Sequence, residues 1–157
     1  MLSYRKFNLP ETTIVLNSGK RKGIAMVGRR NEQEELLRRY SRNKAEFIAV
    51  YGRRRVGKTT LISETFKGKI TFQHAGLSPA EKKKQGTMTA QLQHFYHSLK
   101  DYGLKEGEIP DSWLEAFYLL EQLLKEKDVG SKQVVFLDEM PWMDTPRSGF
   151  ITALEGF

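Results

Sequence analysis

The sequence contains no cysteine among its 157 residues. This absence excludes disulfide bonds and metal sites that depend on thiolates. Long apolar runs are also missing, since segments such as Phe47–Tyr51 and Val134–Leu137 are far shorter than the roughly 20 residues that a membrane-spanning helix needs. The N-terminal segment has no apolar stretch long enough for a secretory signal peptide. We therefore expect a cytoplasmic protein with no membrane segment.

The composition is that of an ordinary globular domain, with 39% apolar and 29% charged residues. The charge is unbalanced, because 26 Lys and Arg residues stand against 19 Asp and Glu residues and give a formal charge of +7. Basic residues crowd the first part of the chain, at Lys20–Lys22, Arg29–Arg30, Arg38–Arg39, Arg42 and Arg53–Arg55. Such a surface attracts polyanions such as nucleic acid. Solvated helix faces and a phosphate site would produce the same pattern, so both interpretations stay open.

The apolar periodicity predicts strands that alternate with helices. Asn31 with Glu34 resembles a capping box, and helical spacing follows it as far as Tyr40. Strands are predicted at Phe47–Tyr51, Ile70–His74 and Val134–Leu137, of which the first and the third are expected to be buried. Helices are predicted at Lys58–Phe66, at about Ala80–Lys100 and, behind a possible capping box at Ser112, from Trp113 to a break at Gly130. This alternation predicts an α/β fold with a mostly parallel sheet flanked by helices. The segment before Ile24 is predicted to be irregular.

An eight-residue segment after the first predicted strand, Gly52–Thr59, matches G-x-x-x-x-G-K-[ST] at every fixed position. Gly52 and Gly57 would let the backbone approach phosphates without a Cβ in the way. Successive N–H groups would then form an anion nest that opens onto a helix N-terminus. Lys58 would reach the β- and γ-phosphates, and the Thr59 hydroxyl would bind magnesium. The motif therefore predicts a P-loop that binds a magnesium–nucleoside triphosphate, and we expect ATP.

The variable positions of this loop have less defined roles. Its three consecutive arginines could contact phosphate, a neighbouring subunit or nucleic acid, or they could be solvated, and none is assigned a catalytic role. The nucleotide-binding residues expected from the motif are Gly52, Arg53, Arg54, Arg55, Val56, Gly57, Lys58, Thr59 and Thr60.

An acidic pair, Asp138 and Glu139, directly follows the third predicted strand. The carboxyl end of that strand would place Asp138 near the magnesium. Glu139 would then act as the base for the water that attacks the γ-phosphate. The alternative is a strand that ends in an ordinary polar turn. On the first interpretation Glu139 and Lys58 are catalytic, and Thr59 and Asp138 bind the metal.

Three segments resemble the archaeal-type ATPase family, which is related to the STAND and origin-recognition ATPases within the AAA-like branch. Val27–Glu32, reading VGRRNE, resembles the box that opens the family. Phe47–Thr60, reading FIAVYGRRRVGKTT, is similar to its P-loop, in which a run of arginines is common. Phe136–Trp142, reading FLDEMPW, resembles its Walker B segment. The resemblance covers the chain from about Met26, and the residues before it match no known pattern.

The resemblance implies ATP binding and slow hydrolysis coupled to a conformational switch. It also implies that Val27, Gly28 and Arg29 lie near the adenine and the P-loop. Members of the family continue with a sensor strand, a helical lid and a winged helix. The sensor strand lies between the P-loop strand and the Walker B strand, and its sequence would follow Phe157. We therefore expect an N-terminal fragment whose two catalytic strands lack their shared neighbour, and which binds nucleotide weakly and hydrolyses it poorly or not at all.

The expected organisation is an N-terminal arm over residues 1–25 and a P-loop ATPase domain over residues 26–157.

Two other functions stay open. The basic first half would also suit a nucleic-acid-binding module with a regulatory nucleotide site. Among partners, nucleic acid or a second copy of the chain could bind. A P-loop kinase for a small molecule is the third candidate, although a kinase must avoid activating water and the Asp138–Glu139 pair therefore disfavours it.

Overall fold

The structure is a computed structural model that describes residues 12–17, 29–53, 55–78 and 87–157. For residues 12–17 it describes the backbone only. The strands are β1 (Thr12–Asn17), β2 (Glu46–Ala49), β3 (Ile70–Ala75) and β4 (Gln133–Asp138). The helices are α1 (Arg30–Tyr40), α2 (Lys58–Thr65), α3 (Thr87–Asp101), α4 (Trp113–Glu126), α5 (Met140–Met143) and α6 (Phe150–Gly156). The predicted mixed α/β class, with a small parallel sheet and flanking helices, is confirmed.

The chain divides into two compact units. The sheet unit contains all four strands with α1 and α2, and its described residues fall within Pro10–Ala75 and Val129–Met140. The helical unit contains α3, α4 and α6, and its described residues fall within Gly76–Asp128 and Pro141–Phe157.

The strand order of the sheet is β2-β1-β4-β3, and every pairing is parallel. β1 lies between β2 and β4, so that Leu16 is in register with both Ala49 and Leu137. The prediction of irregular structure before Ile24 is therefore wrong for Thr12–Asn17. The expectation that β2 and β4 lack a shared neighbour is wrong for the same reason. β1 fits this central position because its sequence, TTIVLN, is rich in the β-branched residues that favour strands.

The strands that precede the glycine motif and the acidic pair, β2 and β4, differ in burial. Every residue of β4 is buried, as predicted, whereas β2 alternates between half-buried and exposed residues. Phe47 remains 44% exposed, so the prediction of a fully buried strand at this position is wrong. Phe47 is exposed because β2 lies at the edge of the four-stranded sheet and only the opposite face of the strand packs on the core. Ile48 and Val50 of this inner face contact the core.

The core of the sheet unit joins one face of the strands to α1 and α2. Its buried members are Leu36, Leu61, Ile62, Phe66, Val134 and Phe136. Tyr40 closes this core at the end of α1, where its hydroxyl donates a hydrogen bond of 3.0 Å to the Lys132 carbonyl just before β4. This packing fixes α2, and with it the loop that precedes α2, against the strands.

An aromatic cluster forms the core of the helical unit. Trp113 and Phe117 of α4 pack with Phe95 of α3 and Phe150 of α6, and the Trp113 and Phe150 rings meet edge to face at 4.9 Å. Such edge-to-face pairs are favoured by the quadrupoles of the rings. The cluster explains why the apolar stripe predicted for α4 is buried.

The two predicted capping boxes have different outcomes. Ser112 is the N-cap of α4, and its side chain accepts a hydrogen bond of 3.3 Å from the Glu115 N–H, as predicted. The cap predicted at Asn31 is wrong, because α1 already begins at Arg30. Its N-cap residue is Arg29, which has a left-handed backbone with φ of 63° and makes no side-chain cap hydrogen bond.

Within the described ranges, no helix combines the length and the apolar character that crossing a membrane would require.

Candidate functional site

A tight glycine loop (Gly52–Gly57) connects β2 to α2 in the sheet unit. Gly57 is the N-cap of α2 and has φ of 79°, a left-handed conformation that side chains with a Cβ rarely adopt. A Cβ at Gly57 would meet no atom within 4 Å, so the backbone conformation and not lack of space requires glycine there. The loop then continues directly into the first turn of α2, whose Leu61 N–H donates to the Gly57 carbonyl at 2.9 Å.

Lys58, the first residue of α2, is bound to the beginning of the same loop. Its Nζ donates hydrogen bonds of 2.9 Å to the carbonyls of Gly52 and Arg53. The residue is only 4% exposed. An ammonium group carries three donors, so these two bonds hold the charge inside the loop and occupy two of the three.

Arg29 contacts the other end of the loop. Its guanidinium group donates a hydrogen bond to the Val56 carbonyl, 27 residues further along the chain. Five described residues of the expected nucleotide set are exposed, namely Gly52, Arg53, Arg55, Val56 and Gly57. Arg55 has a left-handed backbone with φ of 66°. Thr60 lies half-buried in α2. The remaining predicted contacts, Val27, Gly28 and Arg54, lie outside the described residues.

The acidic pair adjoins the start of α2. Asp138 is the last residue of β4, and its Oδ2 accepts a hydrogen bond of 3.0 Å from the Thr59 hydroxyl. Its Oδ1 accepts a second bond of 2.8 Å from the Glu139 backbone N–H. Asp138 is 1% exposed, and buried carboxylates persist where such hydrogen bonds satisfy them. Two motifs that are 79 residues apart in sequence thus meet in one site.

Glu139 lies at the point where β4 ends. Its φ of 52° is unusual for a residue other than glycine, and the residue is 5% exposed. Residues held in such sparsely populated conformations cluster at functional sites. The hydrogen bond from its N–H to Asp138 fixes the two residues as one turn.

The oxygen donors of this site suit a hard cation. No group of three or more His, Asp or Glu side chains that could hold a metal occurs within the described ranges. Mg²⁺, however, is usually bound by one or two carboxylates together with substrate phosphates and water. The Thr59 hydroxyl and the Asp138 carboxylate, 3.0 Å apart, supply two suitable oxygens. The residues present therefore fit a magnesium ion that arrives with a triphosphate.

Many of the basic residues around α1 are paired within the chain. Glu35 forms ion pairs with Arg38 and Arg39 at 2.6 and 2.7 Å. The hydrogen bond from Arg38, and to a smaller extent the one from Arg39, lowers the pKa of Glu35 below its ordinary value of 4.5. These arginines are thus partly neutralised, and their clustering in the sequence does not support a nucleic-acid interface.

Glu46, the first residue of β2, neutralises further basic residues. It pairs with Arg42 at 3.0 Å and with Arg39 and Lys44 at 3.7 Å each. Burial raises the pKa of Glu46, but the hydrogen bond from Arg42 and the charges of Lys44, Arg42 and Arg39 outweigh it. The pKa of Glu46 is consequently lower than its ordinary value of 4.5.

Comparison with curated proteins finds an archaeal protein that is similar to part of the chain. No family model matches the chain, and no solved structure shows a significant match. Among curated proteins, an uncharacterized ATP-binding protein of Methanocaldococcus jannaschii is 52% identical to the chain over 48 residues. The match covers 30% of this chain and 81% of the archaeal protein.

Proposed function

Because this chain belongs to the same family as the archaeal ATP-binding protein, we propose that it binds ATP through the glycine loop and the first turn of α2. The single observation that carries the proposal is the 3.0 Å hydrogen bond between Thr59 and Asp138, which joins the loop to the end of β4. A phosphate site needs positive charge and N–H donors on one side, and a metal-binding carboxylate on the other. This pairing brings the two sides together.

Lys58 and the helix N-terminus are the phosphate-binding groups of the proposed site. Two donors of the Lys58 ammonium are bound to the Gly52 and Arg53 carbonyls, and the third can reach a phosphate oxygen. The start of α2 contributes the N–H groups and the dipole that favour anions. Arg29 assists by holding the Val56 carbonyl, which keeps the loop in one conformation.

Thr59 and Asp138 are the proposed magnesium ligands, directly or through water. Mg²⁺ bound with the triphosphate would neutralise the charge that develops on the β- and γ-phosphates. Asp138 is held in one orientation for this role because both of its oxygens accept hydrogen bonds.

Hydrolysis is the proposed reaction, and Glu139 is the proposed base. Its carboxylate would take a proton from a water molecule while the water oxygen attacks the γ-phosphorus, and ADP and phosphate would leave. The fixed turn between Asp138 and Glu139 supports this assignment, since a base must be held close to its water. We further propose that the chain is a P-loop ATPase of the archaeal, AAA-like type.

Calorimetric titration of the full chain with ATP and magnesium tests the binding proposal. We expect saturable binding that Lys58→Ala weakens by about 10- to 100-fold, the effect of losing hydrogen bonds to a charged group worth about 1.5–3 kcal/mol. Lys67→Ala is the matched control, because it removes the same charge from an exposed position just after α2. Equal affinities of the wild-type protein and Lys58→Ala would refute the assigned site.

A further inference from the structure

A buried amide in the helical unit makes three hydrogen bonds to the main chain. Gln91 of α3 is 1% exposed, and its Oε1 accepts a bond of 3.0 Å from the Leu77 N–H. Its Nε2 donates one bond of 3.0 Å to the Leu77 carbonyl and a second of 2.9 Å to the Trp142 carbonyl. The side-chain amide thus forms two hydrogen bonds with the Leu77 backbone, as a paired strand residue would, and its second N–H binds Trp142.

The two partners of Gln91 lie where the chain leaves the carboxyl ends of β3 and β4. Leu77 follows Ala75 by two residues, and Ala75 is the last residue of β3, in register with Asp138. Trp142 lies in α5, three residues after Glu139. One amide therefore holds both the segment that follows β3 and the segment that follows the acidic pair at the end of β4.

We propose that Gln91 is a positioning residue for Glu139, which it holds through the main chain of α5. This inference rests on the proposed role of Glu139 as the base. Glu139 has a left-handed backbone, and a residue in that conformation keeps it only where the neighbouring structure imposes it. The bond from Gln91 to Trp142 fixes the chain on the C-terminal side of Glu139, and the bond from Glu139 to Asp138 fixes it on the other side.

Gln91→Met is the informative substitution, since methionine keeps the length of the side chain but cannot replace its hydrogen bonds. Gln93→Met is the matched control, because Gln93 lies two residues further along the same helix and is half-buried. Three quantities are compared in the full chain: amide hydrogen exchange at Glu139, the dissociation constant for Mg-ATP, and single-turnover phosphate release.

We expect Gln91→Met to accelerate exchange of the Glu139 amide and to slow phosphate release by about 10- to 100-fold, the effect of misplacing a catalytic group slightly. The dissociation constant should change by less than about twofold, because the phosphate-binding groups lie in the glycine loop and α2. Gln93→Met should match the wild-type protein in all three measurements. If exchange changes only at Leu77 and Trp142 while Glu139 exchange stays at the wild-type rate, Gln91 is a local structural clamp and the proposal is wrong.

Two further outcomes are separable. If Gln91→Met does not fold, Gln91→Asn replaces it, because asparagine keeps a neutral amide but is one methylene too short to reach both Leu77 and Trp142, and the same expectations apply. If the wild-type protein binds ATP but releases no phosphate, the proposed hydrolysis fails, and exchange at Glu139 still decides whether Gln91 positions that turn.

Discussion

The Thr59 hydroxyl and the Asp138 carboxylate lie 3.0 Å apart and share a hydrogen bond between the first turn of α2 and the end of β4. This bond holds two oxygen donors together. A magnesium ion entering the site would meet ligands that are already close to each other, so little ordering of side chains would accompany binding. The pair is consequently the most direct target for testing the metal.

Asp138→Asn should uncouple ATP binding from magnesium. Asparagine preserves the size of the side chain but lacks the charge. Its one oxygen can accept from the Glu139 N–H while its NH2 group donates to the Thr59 hydroxyl. We expect the affinity for ATP in the presence of Mg²⁺ to fall by about tenfold or more, because a charged ligand becomes a neutral one. With a chelator present, Asp138→Asn should bind ATP at least as tightly as the wild-type protein, because a carboxylate that would repel the phosphates is gone. Titration of a fluorescent ATP analogue with and without magnesium measures this, and an unchanged magnesium dependence would contradict the assignment of Asp138.

Glu139→Gln should separate binding from turnover. The amide is close in size to the carboxylate and leaves the backbone bond to Asp138 in place, but it cannot accept a proton from water. We expect phosphate release to fall by about 10²- to 10⁴-fold, the range for loss of a general base, with ATP affinity unchanged. A phosphate-release assay at saturating ATP measures the effect, and Glu155→Gln, which alters an exposed glutamate of α6, is the control. Turnover at the wild-type rate would exclude Glu139 as the base.

The two motifs were predictable because each is defined by local sequence. The glycine loop has fixed residue types between a strand pattern and a helix pattern, and the acidic pair follows an apolar run. Their proximity followed from the prediction of a parallel sheet, in which the carboxyl ends of strands meet at one edge. The pairing of Thr59 with Asp138 agrees with that geometry.

Features set by distant parts of the chain were not predictable. The β1 segment is six residues long, and its place between β2 and β4 depends on partners more than 25 residues away in sequence. Gln91 gave no signal either, since one glutamine on an amphipathic helix has the pattern of a solvated residue. Its burial results from packing in the helical unit, which local periodicity does not report.

Gly57→Ala should destabilise the protein and weaken ATP binding together. The φ of 79° at Gly57 costs a residue with a Cβ about 1–2 kcal/mol, although space for the methyl group exists. We expect the free energy of unfolding to fall by about that amount, as measured by urea denaturation. Gly156→Ala is the matched control, because Gly156 lies in helical structure and an added Cβ there also meets no atom within 4 Å. Equal losses in both variants would show that the loop conformation is not the cause.

Glu46→Gln should lower stability at neutral pH and have less effect in acid. The pKa of Glu46 in the folded protein lies below its ordinary value of 4.5, so its ionised form stabilises the fold. That contribution is fully present above pH 4.5 and is lost as the pH falls through the folded-state pKa, because the unfolded chain takes up the proton first. Urea denaturation between pH 3 and pH 7 should therefore show the two proteins converging in acid, while Glu155→Gln follows the wild-type curve throughout. A difference between the wild-type protein and Glu46→Gln that does not change with pH would mean that the substitution acts through packing at the start of β2 and that the ion pairs with Arg42 and Lys44 contribute nothing.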